Sequence, residues 1–196
     1  MKRLSLILIL ILSFQSWTKA DDIRDFEIEG MSIGDSLLNY FSEKEIKKMP
    51  KTDYPGSDKY IMLTYNSSTK FDKYETVAFH VKTNDKSFKI HSIKGGIYYK
   101  NDFNKCLADK KDLLKELKST FKSLETQEEY DFKYQIDDGK SIAYINDLSF
   151  ENNDKIRLWC VNWSDVTEKK RNFIDNLSVS LSPNYYLKWL TNEAKQ

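Results

Sequence analysis

Ile156-Arg157-Leu158-Trp159-Cys160-Val161-Asn162-Trp163 places Ile156, Leu158 and Cys160 on one side and Arg157, Trp159, Val161 and Trp163 on the other. That period of two marks a strand whose faces meet different surroundings. Immediately upstream, Tyr130 to Asp137 and Ser141 to Phe150 read as two further strands. Tyr130, Phe132, Tyr134 and Ile136 share one face, and Ile142, Tyr144, Leu148 and Phe150 share another. Matching even to even positions requires the three-residue loop Asp137-Asp138-Gly139, with Gly139 supplying the left-handed residue of a bulged turn.

The next element outward is a helix. Asp102 caps a stretch in which Phe103, Cys106, Leu113, Leu114, Leu117 and Phe121 recur at three- and four-residue steps, interrupted only by Lys110. The opposite face is charged, the pattern of a surface helix covering a sheet. Cys106 on its apolar stripe and Cys160 on the core face of the strand are the only two cysteines. In an exported chain this even count reads as one disulfide rather than two buried thiols.

Earlier still, three strands are predicted over Tyr60 to Tyr65, Tyr74 to Lys82 and Phe88 to Ile93, the last resuming over Ile97 to Tyr99 after a bulge or bend at Gly95-Gly96. Val77, Phe79 and Val81 face one way; Ala78, His80 and Lys82 face the other. Before them, Ser32 with Asp35 and Ser42 with Glu45 resemble capping boxes and predict two short helices ended by Pro50. Helix plus three strands thus occurs twice, over 32–99 and 102–163, which reads as a structural duplication within one domain. A strand over Leu177 to Leu181 and a helix opened by Ser182-Pro183 complete the C-terminal part, 173–195. The fold class is α+β: antiparallel sheet covered by helices.

The first twenty residues set the address. Met1-Lys2-Arg3, an apolar run of about eleven residues and the small residues Thr18 and Ala20 read as a cleavable secretory signal. The domain then spans 21–196, and the chain is expected to be periplasmic or secreted. The run falls short of the about 20 apolar residues of a spanning helix, so no stable membrane insertion follows cleavage. Removing Lys2, Arg3 and Lys19 from 31 basic residues leaves 28 against 30 acidic ones, a balance of 28 − 30 = −2. A near-neutral chain lacks the electrostatic footprint of a nucleic-acid binder. Aromatic residues form 14% of the chain, a share suited to strands and a packed core rather than disorder.

Two motifs invite a catalytic reading. Gly30-Met31-Ser32-Ile33-Gly34 fits G-x-S-x-G, and Gly34-Asp35-Ser36-Leu37 spells the signature of GDSL-type esterases. Either serine needs a histidine to take its proton, and that family places it in an Asp-x-x-His pair near the end of the chain. Here no histidine follows His91, and neither His80 nor His91 has an aspartate three residues before it. Helix capping explains these residues without chemistry, so a small serine hydrolase using Ser32 or Ser36 is the secondary reading. His80 and His91 are two strand histidines expected to face solvent. They lack a third ligand for a metal, and no cofactor loop is present. Trp159, Val161 and Trp163 form the candidate binding surface, because an aromatic stripe on a sheet can stack sugars, peptides or another protein. The same stripe would be ordinary core if the first or last helix covered it.

The run from Phe26 to Leu37, Phe26-Glu27-Ile28-Glu29-Gly30-Met31-Ser32-Ile33-Gly34-Asp35-Ser36-Leu37, resembles the opening of a group of small exported bacterial proteins. Gly30-Met31-Ser32 before a short helix pair and antiparallel strands is also similar to the BamE-like and β-lactamase-inhibitory-protein-like fold. That resemblance implies a protein that binds and does not catalyse, and it transfers no site residue. The leading expectation is therefore a binding module of the bacterial envelope whose partner is a protein or another envelope component. A small-ligand carrier is a third reading, requiring a cavity among the aromatics.

Overall fold

In the computed structural model, which describes residues 22–66, 70–121 and 124–194, the strands join into one antiparallel sheet. The N-terminal set is β1 (Lys51–Tyr54), β2 (Ser57–Asn66), β3 (Thr76–Lys82) and β4 (Ser92–Tyr98). After helix α2 (Phe103–Thr120) come β5 (Glu125–Thr126), β6 (Tyr130–Lys133), β7 (Ile142–Ser149) and β8 (Lys155–Asn162). The last strand, β9 (Asn176–Ser182), inserts between β4 and β8, so the order runs β1-β2-β3-β4-β9-β8-β7, with β5 and β6 both on the outer edge of β7. The remaining helices are α1 (Glu43–Lys48), α3 (Asp165–Arg171) and α4 (Asn184–Asn192). The α+β class expected from the sequence is the class observed. The leader, 1–20, lies outside the described residues.

One face of the sheet is closed. Phe79, Ile93, Leu181, Ile156 and Leu148 follow one another across β3, β4, β9, β8 and β7, all essentially inaccessible. They pack against Leu117 and Phe121 of the α2 region and against Ile23, Phe26, Leu37, Phe41 and Ile46 of the N-terminal segment. Cys106 and Cys160 meet on this face as a disulfide, their Cα atoms 6.1 Å apart. It fastens α2 to the sheet across a separation of 54 residues. Lys110, the break in the apolar stripe, is 2% exposed. Its ammonium donates to Glu129 at 2.6 Å and to the Tyr144 carbonyl at 3.0 Å, which satisfies the buried charge.

Four local expectations are corrected. The helix expected over 33–41 shrinks to a 3-10 turn, Leu37–Asn39, capped by Ser36; Ser32 instead donates to the Phe26 carbonyl at 3.0 Å. Glu29 and Gly30 carry φ of 54° and 73°, forming a tight turn that pairs Ile28 with Met31. The Ser42–Glu45 capping box does open α1.

The strand expected over 88–93 begins instead at Ser92 and runs through Gly95-Gly96 without a bulge. The glycines are there for space: a Cβ on Gly95 would sit 2.4 Å from the Tyr74 ring, and one on Gly96 2.7 Å from Thr76 Cγ2.

The β6–β7 hairpin pairs Tyr130 with Ile145 and Lys133 with Ile142, so even positions of β6 meet odd positions of β7. The loop is correspondingly longer, with Asp137 and Gly139 both at positive φ. The cause is that β7 is buried along both faces and carries apolar residues on each, so alternation alone does not select a register. Finally, α3 was not anticipated; Ser164 caps it by accepting from the Thr167 amide.

Candidate functional site

The other face of the sheet is only partly covered. Helix α4 lies over its β2–β3 end, where Tyr60, Tyr186 and Trp189 form a separate aromatic cluster. Tyr54 extends that cluster through a 3.1 Å contact between its hydroxyl and that of Tyr186. The amphipathic sequence of α4 explains the coverage: Tyr186 and Trp189 point at the sheet while Tyr185 and Lys188 face outward. At the β6–β7–β8 end a second cluster gathers Tyr130, Tyr134 and Trp159 around Ala143, Ile145 and Val161. Between the clusters, β4, β9 and β8 are left open as the floor of a groove of about 490 Å³.

Register determines what the floor displays. One cross-strand row runs Ala78, Lys94, Ser180, Arg157, Asp147 through β3, β4, β9, β8 and β7. The next row carries His80 opposite Ser92, with Ser182 opposite Lys155. Ser92 and Ser182 bridge these pairs through a 2.8 Å hydroxyl contact. Serines on alternate positions of β9 therefore form a low, polar strip, and the longer side chains of Lys94 and Arg157 stand on either side of it.

The charges beside this strip are unevenly matched. Asp147 is 3% accessible in its side chain and receives Arg157 at 2.7 and 2.9 Å and Lys155 at 2.9 Å. Burial alone would raise its carboxyl, but the two cations outweigh burial and hold it below the ordinary aspartate range. Lys94 has neither an ion pair nor a hydrogen bond among the described residues, and burial lowers its ammonium. Among the described residues Lys94, Lys155 and Arg157 all line the groove, whereas no carboxylate does.

His80 is 8% exposed, and its Nδ1 is the one buried side-chain nitrogen or oxygen without a hydrogen-bond partner among the described residues. Burial, reinforced by Lys94, lowers its pKa to about 3. His91 is likewise buried rather than solvent-facing; its Nδ1 lies 3.0 Å from the Tyr185 hydroxyl, and burial lowers it to about 4. Both rings are neutral near pH 7. Among the described residues no three metal-ligating side chains converge.

The three aromatic-stripe positions separate in space. Trp159 is half-buried and lines the groove. Val161 is buried beneath the aromatics. Trp163 lies past the end of the groove, its ring 4.9 Å from that of Tyr134 and 4.7 Å from that of Phe173. Ser32 and Ser36 sit elsewhere, on the closed side: Ser36 donates to the Ser87 carbonyl at 2.5 Å and accepts from the Leu38 amide at 3.2 Å. With Ser32 bonded to Phe26, both hydroxyls hold backbone together and neither meets a histidine.

Lys94, His80, Arg157 and Ser180 were not singled out in the sequence as one site. The available signal was the lysine of Ile93-Lys94-Gly95-Gly96, a cation between a core residue and two glycines that strip neighbouring bulk from its strand. Comparison with protein-family models, with curated proteins and with solved structures finds no match for this chain.

Proposed function

We propose that this protein is an exported, non-catalytic binding protein that holds a small ligand in the open groove of its sheet. The observation that carries the reading is the groove itself: two aromatic clusters stand apart over a floor of small polar residues. Its volume of about 490 Å³ falls in the range of sites for small molecules, which combine apolar walls with a few placed polar groups. A folded protein partner would need a far larger contact, so the occupant is a small component of the envelope. The disulfide supports an oxidising compartment and hence export. No described helix is long and apolar enough to cross a membrane. The hydroxyl bonds of Ser32 and Ser36 favour binding over hydrolysis, since each serine is tied to backbone.

The test uses N-phenyl-1-naphthylamine, a neutral fluorescent probe, titrated against the protein lacking residues 1–20. Saturable enhancement is expected, and Ser180→Trp, which fills the floor from its centre, is expected to abolish it. Absence of enhancement, or equal enhancement in the filled variant, overturns the reading.

A further inference from the structure

Resting on that groove, we infer that its ligand is a small organic anion with a flat or apolar body, its anionic group held by the Lys94 ammonium. Three independent observations converge on this chemistry. The first is charge: among the described residues three cations and no carboxylate line the groove, although the whole chain has 31 basic and 30 acidic residues. Asp147, beside the floor in the same cross-strand row, offsets one of those charges, which leaves a local excess of two. Such a concentration gives the groove a positive sign in a chain that is near-neutral overall.

The second is partnership. Lys155 and Arg157 are engaged by Asp147, whereas Lys94 has no counter-charge and no acceptor among the described residues. A desolvated ammonium without a partner is costly to the free protein, and an incoming anion removes that cost. Ser180, directly opposite Lys94 on β9, adds a hydroxyl with no hydrogen-bond partner among the described residues. Carboxylate, sulfonate and phosphate oxygens accept from both donor types.

The third is His80, more than nine-tenths buried, lining the same groove and carrying the unpartnered Nδ1. A buried nitrogen without a partner marks a place where a polar ligand atom completes the hydrogen bonding. On the β8 side, Trp159 and Tyr130 supply flat surface for the body of the molecule.

The experiment compares 1-anilinonaphthalene-8-sulfonate with N-phenyl-1-naphthylamine, which share an aromatic body and differ by one anionic group. Wild-type protein is expected to bind the sulfonate about tenfold tighter than the neutral probe, the size of one charge-assisted hydrogen bond. Lys94→Met should erase that preference, bringing the affinities for the two probes to within about twofold of each other, a difference below one ordinary hydrogen bond. Lys94→Arg should retain the preference, and both variants are checked for wild-type thermal unfolding.

Equal affinity for the two probes in the wild type, or a sulfonate preference that survives Lys94→Met, overturns the anionic class. In either case, loss of neutral-probe binding in Ser180→Trp keeps the groove itself as the binding site. Neither probe binding the wild type overturns both readings together.

Discussion

Lys110 and Lys94 both lie within the sheet's surroundings, on opposite faces, and they meet opposite fates. Lys110, on the closed face, ends on Glu129 and a backbone carbonyl, so its charge is part of a finished core. Lys94, on the open face, ends on nothing among the described residues. The contrast extends to the faces themselves. The closed one is apolar from Phe79 to Leu148 and sealed by α2, the N-terminal segment and a disulfide. The open one carries serines, cations, a neutral histidine and a groove between two aromatic clusters. Polar groups on the closed face are partnered within the fold, whereas the open face keeps Lys94 and His80 Nδ1 without partners among the described residues.

The most severe way to break this comparison is to unfasten the closed face. Replacing Cys106 and Cys160 by alanine is expected to cost about 2–5 kcal/mol in urea unfolding, yet to leave probe affinity unchanged wherever the protein is still folded. A variant that keeps its stability but loses the probe would show that the two faces are not separate in function.

Acid should act through the open face. The folded pKa of His80, about 3, lies below its ordinary 6.5, so the unfolded chain takes up the proton first. Its stabilising contribution is therefore complete above pH 6.5 and is lost as pH falls toward 3. Between pH 6.5 and 5 the loss should reach about 2 kcal/mol, following one proton per chain. His91 acts in the same direction. The gap between urea midpoints at the two pH values should narrow in His80→Phe, with the His91 contribution remaining, and should keep its full width in the disulfide variant.

The smallest effect gives the sharpest comparison, because it differs in sign. Lys110→Met removes two donated hydrogen bonds and should cost about 1–2 kcal/mol. Lys94→Met removes a partly desolvated charge with no partner among the described residues and should leave stability unchanged or raise it by up to about 1 kcal/mol. Paired unfolding curves decide this, and losses of equal size would mean that Lys94 has a partner in solution.

The closed face was largely legible in the amino-acid order. The alternation of Val77, Phe79 and Val81 and of Ile156, Leu158 and Cys160, together with the apolar stripe of α2, names its core residues, because burial on one side of an element imprints a period on the sequence. The pairing of Cys106 with Cys160 follows from the same faces. Where β7 is buried on both sides, with apolar residues on each, the imprint is lost, and the register of the β6–β7 hairpin differs by one position from the one the alternation suggests. The extent of β4 was misjudged for a related reason: Gly95 and Gly96 read as interruptions, whereas the Tyr74 ring against them is a contact made within the folded sheet.

The groove was hardly legible at all. Trp159 was in view, but Lys94, His80, Ser180 and Arg157 come from four different strands, and no local pattern joins them. Sequence by itself determined the α+β class, the buried periodicity, the helix caps at Ser42 and Asp102 and the two cysteines available to each other. Tertiary structure alone decided that β9, the last strand made, enters the middle of the sheet. That placement sets Ser180 between Lys94 and Arg157, and α4 then stops short of covering them. The physical reason is that strand pairing between distant segments depends on backbone hydrogen bonds, which every residue but proline offers alike, so the neighbours of a strand leave no signature within it.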